Sequence, residues 1–421
     1  MASEVTGQRR AGKLKGGPME RTMWLSGLWL ALVVACGSES KTLPLSSEPA
    51  PPVPVVAHDG GASSDPAAVA NAPDGASDAG SPVACVPSSA VTIYPGVGAA
   101  SDDPIAPAGP GVVLMGGGTD VDQAFVWMHD TVAGSRAARA GDLIILRASG
   151  DDGYDAYAYG IAPFHSVRTI VVGTAATAAD LACAADLVSR AEVVFFAGGN
   201  QAKYVAWAGS PLMTAVQHVY DRGGVIGGTS AGCAILGGFA YDAVSAGSSN
   251  VASSDAIADP FETSISFTRG ALHFSVLDGV ITDPHFRARD RMGRLAAFMA
   301  RQHADGAVTT SPPRVLGIGV DEKTAVLVDK AGIARLVQQS PGTGAAFFVR
   351  GAVPDQCEHG KPLRYRRLLV TRLDAPAQTF SLQTWCGSGT VYELGVFGDA
   401  PPPYQPSDPY GAGPDGITCG P

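Results

Sequence analysis

Positive charge is scarce in this chain: 29 Lys and Arg stand against 39 Asp and Glu over 421 residues, a formal net charge of −10. Nucleic-acid binding depends on cations that neutralise phosphates, so this balance argues against a general nucleic-acid binder, though not against a positively charged substrate. Long apolar runs are missing as well. The run "MWLSGLWLALVVAC" at 23–36 is too short for a comfortable transmembrane span. Only seven cysteines occur, and none has the spacing of a metal-ligand pair. No segment repeats at a solenoid period.

What is present points to an exported chain with one sizeable core. Hydrophobic residues make up 46% of the sequence, and the length allows two or three domains. Gly (53) and Pro (31) exceed their usual share, mostly near the ends. Arg9, Arg10, Lys13, Lys15 and Arg21 precede the apolar run, as in a signal peptide. That run ends in Val33-Val34-Ala35-Cys36, which resembles a bacterial lipobox. Residues 1–36 are therefore read as a lipoprotein signal peptide with Cys36 the lipidated residue; Met19 and Met23 are alternative starts. The expected location is exported and membrane-anchored, periplasmic or at the cell surface, or secreted if the signal is an ordinary one. Residues 37–91 are Ser, Pro, Ala, Gly and Asp with scarcely an aromatic, a composition that cannot offset its ordering entropy and reads as a disordered tether. In such a chain Cys357–Cys386 and Cys85–Cys419 are candidate disulfides, though sequence does not fix connectivity, while Cys183 and Cys233 lie in apolar helical patterns and read as buried thiols.

From residue 110 onward, short apolar runs alternate with helical patterns. "GVVLMGG", "DLIILRA", "RTIVVG", "AEVVFFAGG" and "GGVIGG" read as buried strands, separated by "VDQAFVWMHDTVA", "AADLACAADLVSRA" and "SPLMTAVQHVYDRG" with helical spacing. Continuous apolar strands joined by helices imply a mostly parallel sheet covered on both faces, a three-layer α/β sandwich. The α/β domain is placed at 92–348. "AILGGFAYDAV" is expected to continue a helix, and a further helix is expected from Arg287 to Arg301. "RVLGIGVDEKTAVLVDKAGIARLV" reads as two or three antiparallel strands joined by turns. Residues 349–421 are read as antiparallel edge-strand additions ending in a Pro/Gly-rich tail.

Chemistry concentrates around "VIGGTSAGCAI", 225–235. Ser230 lies at a strand-to-helix turn, where Gly228 and Gly232 tolerate unusual dihedrals and close packing. Such an elbow exposes a nucleophilic Oγ and puts the Ala231 N–H beside a developing oxyanion; a plain helix cap would use the same residue type. Gly199, in "FFAGGNQ" at the carboxyl edge of the same sheet, is the candidate second oxyanion donor. The similarly placed "MGGGTD" loop (115–120) lacks the glycine spacing and lysine of a phosphate loop. His285 in "TDPHF" has the best context for a base, with His273 its rival. Asp321 and Glu322 end a strand, where neighbours face opposite ways, so one should reach the histidine and the other should face solvent. Cys233 as a thiol nucleophile is disfavoured, since its side chain should point into the core.

Together these stretches resemble the cyanophycinase-like serine peptidases, over about residues 108–385. The family's G-G-T-S-A-G elbow stands at 227–232, its D-Q-H-F at Asp283-Pro284-His285-Phe286, and its G-I-G-x-D-E strand ends at Glu322. The resemblance implies a class I glutamine amidotransferase-like (flavodoxin-like) fold shared with aspartyl dipeptidase. It implies a Ser230–His285–Glu322 triad working through an acyl-enzyme on peptide or isopeptide substrates, with no metal or cofactor. It also implies that Gln201, Arg289, Arg291 and Arg294 recognise a β-linked aspartate–arginine unit. Two positions depart from the pattern: Asn200 replaces an Asp and Pro284 a Gln, both flanking the expected pocket. A substrate guanidinium would need a carboxylate, for which Asp283, Asp151, Asp152 and Asp155 are candidates. An exported aspartyl dipeptidase or isopeptidase with another substrate, or a lipoprotein that only binds a ligand, are the alternatives, and edge-strand pairing leaves a homodimer open.

Overall fold

The computed structural model describes residues 85–102, 104–138, 141–247, 250–308, 315–414 and 417. The signal peptide, Cys36, most of the tether, and Cys419 lie outside the described residues. Among the described residues no helix is long and apolar enough to cross a membrane.

The apolar runs form a sheet whose middle strands are parallel, in the order Ser166–Val172, Asp142–Arg147, Val193–Phe196, Val225–Thr229, Gly111–Met115. Alternate side chains leave a strand on opposite faces, and here both faces are covered. Val113 and Met115 pack with Phe125 and Met128 of the Asp122–Ala133 helix, while Val112 and Leu114 join a second cluster with Val188 and Val216 of the Ala178–Arg190 and Pro211–Asp221 helices. Each fully buried side chain of this size contributes about 1.5–3 kcal/mol. Helix starts are specified locally: Thr177 and Asp180 form a reciprocal capping box, and Ser210 caps the helix that Pro211 opens. The order departs from a flavodoxin-like chain order in one place, because the first strand, Gly111–Met115, occupies the position next to Val225–Thr229. Antiparallel strands extend both edges: Val91–Ile93 on one, and Thr324–Asp329 with Ile333–Gln338 on the other.

Of the expected C-terminal additions, Thr379–Ser381 and Cys386–Gly387 do extend the first sheet beyond Ile333–Gln338, while the others complete a second, eight-stranded sheet. Its parallel middle is Phe239–Tyr241, Val280–Asp283 and Val315–Val320; Ala346–Gly351, Arg364–Leu373 and Thr390–Phe397 follow antiparallel. One face packs Ile318, Val320 and Phe348 with Val326 and Val328 of the first sheet, and the other carries Leu295, Phe298 and Met299 of the Met292–Ala304 helix. Several expectations change accordingly. The boundary at 349 falls inside the Ala346–Gly351 strand, and Arg364–Leu373 is an interior strand. Val315–Val320 and Thr324–Asp329 belong to different sheets rather than one hairpin. The helix after Ser230 ends at Ala234 and gives way to the Phe239–Tyr241 strand.

The N-terminal segment is tied down from Cys85, earlier than the tether boundary. Cys85 bonds to Cys183, and the Ser88 N–H donates to Asp180 Oδ1 at 2.6 Å. Cys183 is therefore a disulfide cysteine, not a buried thiol, and Cys85 is not paired with Cys419. The candidate Cys357–Cys386 bond is absent as well: Cys386 is disulfide-bonded, but Cys357 is a free thiol.

Candidate active site

The seam between the two sheets brings together residues from distant parts of the chain. Val225–Thr229 delivers Ser230, Val280–Asp283 delivers His285, and the connection from Val315–Val320 to Thr324–Asp329 delivers Glu322. Ser230 Oγ lies 2.7 Å from His285 Nε2, and His285 Nδ1 lies 2.6 Å from Glu322 Oε1.

The elbow explains its glycines. Ser230 has φ 53°, uncommon for a residue with a side chain and held here by its surroundings. Its N–H donates to Met115 O at 3.1 Å. A Cβ on Gly228 would lie 2.5 Å from the Gly232 carbonyl carbon, and one on Gly232 would lie 2.2 Å from Phe196 O. Only glycine lets the turn close this tightly onto its helix and the neighbouring strand. Ala231 opens a helix whose first N–H groups have no intrahelical partner, and among the described residues neither the Ala231 nor the Gly199 N–H donates to an acceptor.

The triple-glycine loop, set aside as a weak phosphate signal, forms the seat of His285. His285 N–H donates to Gly116 O at 2.7 Å, and a Cβ on Gly117 would lie 2.4 Å from the imidazole Cε1. Gly118 faces Glu322, whose Cβ would stand 3.2 Å from an added Cβ. Thr282 Oγ1 donates to Cys233 O at 2.7 Å, tying the strand before His285 to the helix after Ser230. His285 is buried, and this desolvation holds its pKa below the usual 6.5; the Glu322 hydrogen bond opposes that, while the charges of Arg289 and Arg291 add to it. A neutral imidazole flanked by a hydroxyl and a carboxylate can accept the hydroxyl proton.

The remaining predicted residues divide. Gln201 is buried beside the elbow and donates to Asn250 Oδ1 at 3.2 Å; both line the pocket around Ser230, and Asn250 was not anticipated. Asn200 instead caps the Gln201–Val205 helix through the Ala202 N–H, 2.9 Å away, and does not line the pocket. Asp283 is no free acceptor for a substrate guanidinium. Arg294 Nε and Nη2 lie 2.8 and 2.5 Å from its two oxygens, and Arg291 Nη1 lies 3.2 Å from Oδ1. Arg291 and Arg294 are themselves buried, and burial pushes the Arg291 guanidinium down to about 10. Arg294 also stacks over Tyr241 and Phe298. These two arginines therefore neutralise an internal acid instead of presenting an open fork on a helix face; Arg291 precedes the helix, which begins at Met292, not Arg287. Arg289 is different: exposed at the pocket, with no ion-pair partner among the described residues.

Asp151 faces Arg147, and Asp155 accepts from Thr169 Oγ1 at 2.6 Å; neither these nor Asp152 line the pocket. Asp321 does not face solvent. It is buried, accepting the Arg287 and Ala345 N–H groups at 2.8 and 2.9 Å, with the Arg287 guanidinium 3.0 Å away. Glu322, its half-exposed neighbour, is the one that reaches the histidine. The rival His273 is exposed and paired with Asp278, and the buried Cys233 thiol is pushed well up by desolvation, leaving it protonated.

A cyanophycinase of Geminocystis herdmanii (strain PCC 6308) is 30% identical over 178 residues, 42% of this chain and 56% of that protein. One from Thermosynechococcus vestitus (strain NIES-2133 / IAM M-273 / BP-1) is 30% identical over 164 residues, 38% of this chain and 42% of that protein. This chain shares family-level homology with the cyanophycinase-like hydrolases. It spans about half the length of the curated relatives it matches. No family model matches it. Among solved structures, a peptidase from an acI-B1 Actinobacterium superposes with a TM-score of 0.39 at 16% identity, covering 66% of this chain and 98% of that one, a likeness too distant to carry an argument.

Proposed function

We propose that this chain is a serine-type hydrolase of the cyanophycinase kind, on a class I glutamine amidotransferase-like fold, acting on β-aspartyl-arginine material through an acyl-enzyme. The observation that carries the reading is the unbroken chain of contacts from Ser230 Oγ through His285 to Glu322, at 2.7 and 2.6 Å. Glu322 fixes the imidazole tautomer, and His285 Nε2 takes the hydroxyl proton as Oγ bonds to the carbonyl carbon. The Gly199 and Ala231 N–H groups are the donors available to the resulting oxyanion, each such donor contributing about 3 kcal/mol in comparable sites. The proton on Nε2 then passes to the leaving amine, and water, deprotonated by the same nitrogen, releases the acyl group. Export with a lipid anchor at Cys36 belongs to the same reading. The Cys85–Cys183 disulfide supports the export part of it, because such bonds persist in oxidising compartments.

A second reading keeps the mechanism and changes the substrate to another isopeptide or an aspartyl dipeptide. What favours it is that Asp283, the carboxylate at the pocket, is already bound by two arginines. Incubating the full chain and its Ser230→Ala variant with soluble cyanophycin, β-Asp-Arg and α-Asp-X dipeptides separates the two. Release of β-Asp-Arg that Ser230→Ala abolishes supports the first reading. Ser230-dependent cleavage of other substrates alone supports the second, and no cleavage of any of them by oxidised, folded protein counts against both.

A further inference from the structure

The segment carrying His285 is an unusual turn. His285 and Asp290 have φ of 51° and 46°, a conformation that costs residues with side chains and persists only where the surroundings fix it. Much of what fixes it is local or comes from neighbouring strands: His285 N–H to Gly116 O, Phe286 N–H to Val320 O, and Arg291 N–H to Phe286 O, at 2.7 to 3.1 Å. At the far end of the turn the hold comes from the C-terminal tail. Tyr410 O–H donates to Asp290 Oδ1 at 2.8 Å and accepts from the Met292 N–H at 3.0 Å, which begins the next helix. Its ring meets Phe286 and Phe347 edge-on, with centroids 5.8 and 5.7 Å away. The tail is itself fastened: Arg372 Nη1 donates to Tyr410 O at 2.7 Å, Tyr392 O–H donates to Pro409 O at 2.7 Å, and Asp408 accepts the Tyr410 N–H at 2.9 Å.

We propose that Tyr410 is a positioning residue for His285: the tail clamps Asp290 and Met292, and through Phe286 holds the imidazole between Ser230 and Glu322. This rests on the reading of His285 as the base. A phenolic hydroxyl that bridges a carboxylate and a helix N–H fixes both ends of the clamp at once, and its loss leaves the aromatic packing in place while freeing the turn.

The test compares Tyr410→Phe with Tyr365→Phe, which removes another tyrosine hydroxyl bond, the half-buried one from Tyr365 O–H to Ala352 O at 2.6 Å, away from the site. Tyr410→Phe in the full chain should lower kcat about ten-fold with KM within about two-fold, since small misplacements of a reacting group cost this much or more. It should also alter the His285 imidazole titration followed by NMR. Tyr365→Phe should leave both as in the parent while lowering the melting temperature at least as far. Unchanged kcat and unchanged His285 titration in Tyr410→Phe would overturn the proposal, as would equal effects from Tyr365→Phe. If the parent proves inactive on every substrate, the NMR titration still decides whether Tyr410 controls the imidazole, so failure of the hydrolase reading stays distinguishable.

Discussion

The imidazole of His285 occupies the space a side chain on Gly117 would need: a Cβ there would lie 2.4 Å from Cε1 and 2.6 Å from Nε2. Gly117 also has φ of 90°, which other residues rarely adopt. Gly117→Ala must therefore displace the ring from Ser230. The expected result is a loss of kcat/KM on the order of 100-fold, the usual cost of an ångström-scale misplacement. Circular dichroism should show the fold retained.

The buried Asp283 cluster gives a stability prediction. Arg291 and Arg294 lie against one carboxylate at 3.2 and 2.5 Å, all three side chains nearly inaccessible. Asp283→Asn keeps the shape and removes the charge, leaving two buried guanidiniums uncompensated. Urea unfolding should show destabilisation of about 3–5 kcal/mol, as for other broken buried ion pairs. A substrate-binding role alone would leave stability unchanged.

The expected pH dependence follows from what surrounds His285. Burial and the neighbouring guanidiniums hold His285 below its ordinary pKa of 6.5, so the acid limb of the rate profile should fall below that value. Activity should be present above the limb and lost as pH drops through it, when the imidazole takes a proton. Arg289→Gln removes a positive neighbour, makes the imidazolium less costly, and should move the limb to higher pH.

The Cys85–Cys183 bond spans 98 residues of sequence. On the chain-entropy account a closed loop of that size stabilises by about 4.7 kcal/mol. A Cys85→Ala/Cys183→Ala double variant should accordingly melt well below the parent. Reducing agent should lower the melting temperature of the parent further than that of the variant, which keeps only the Cys386 bond to lose.

The parallel strands were legible because burial on both faces leaves runs such as Gly111–Met115 uniformly apolar. The Ser230 elbow was legible from its glycine spacing, and His285 and Glu322 chiefly through family resemblance. Pairing partners were not legible. Val315–Val320 and Thr324–Asp329 are separated by a short connection that looks like a hairpin turn, yet Lys323, with φ of 59°, helps pass the chain from one sheet to the other. Nor does a sequence show that Arg291 and Arg294 turn inward onto Asp283, since an arginine spacing reads the same on a solvated face. Gly116–Gly118 look like a loop in search of a ligand until the histidine that fills them arrives from far along the chain. The Cys85–Cys183 link could not be deduced, because connectivity is set by distance in the fold.

The central claim is that Ser230 is a nucleophile activated by His285. The most direct test is to expose the full chain, Ser230→Ala and His285→Ala to a fluorophosphonate and locate the adduct by peptide mass spectrometry. The account predicts a single adduct on Ser230 in the parent, none in Ser230→Ala, and little or none in His285→Ala over the same time. An adduct on another residue that survives Ser230→Ala, or equally fast labelling without His285, would contradict it.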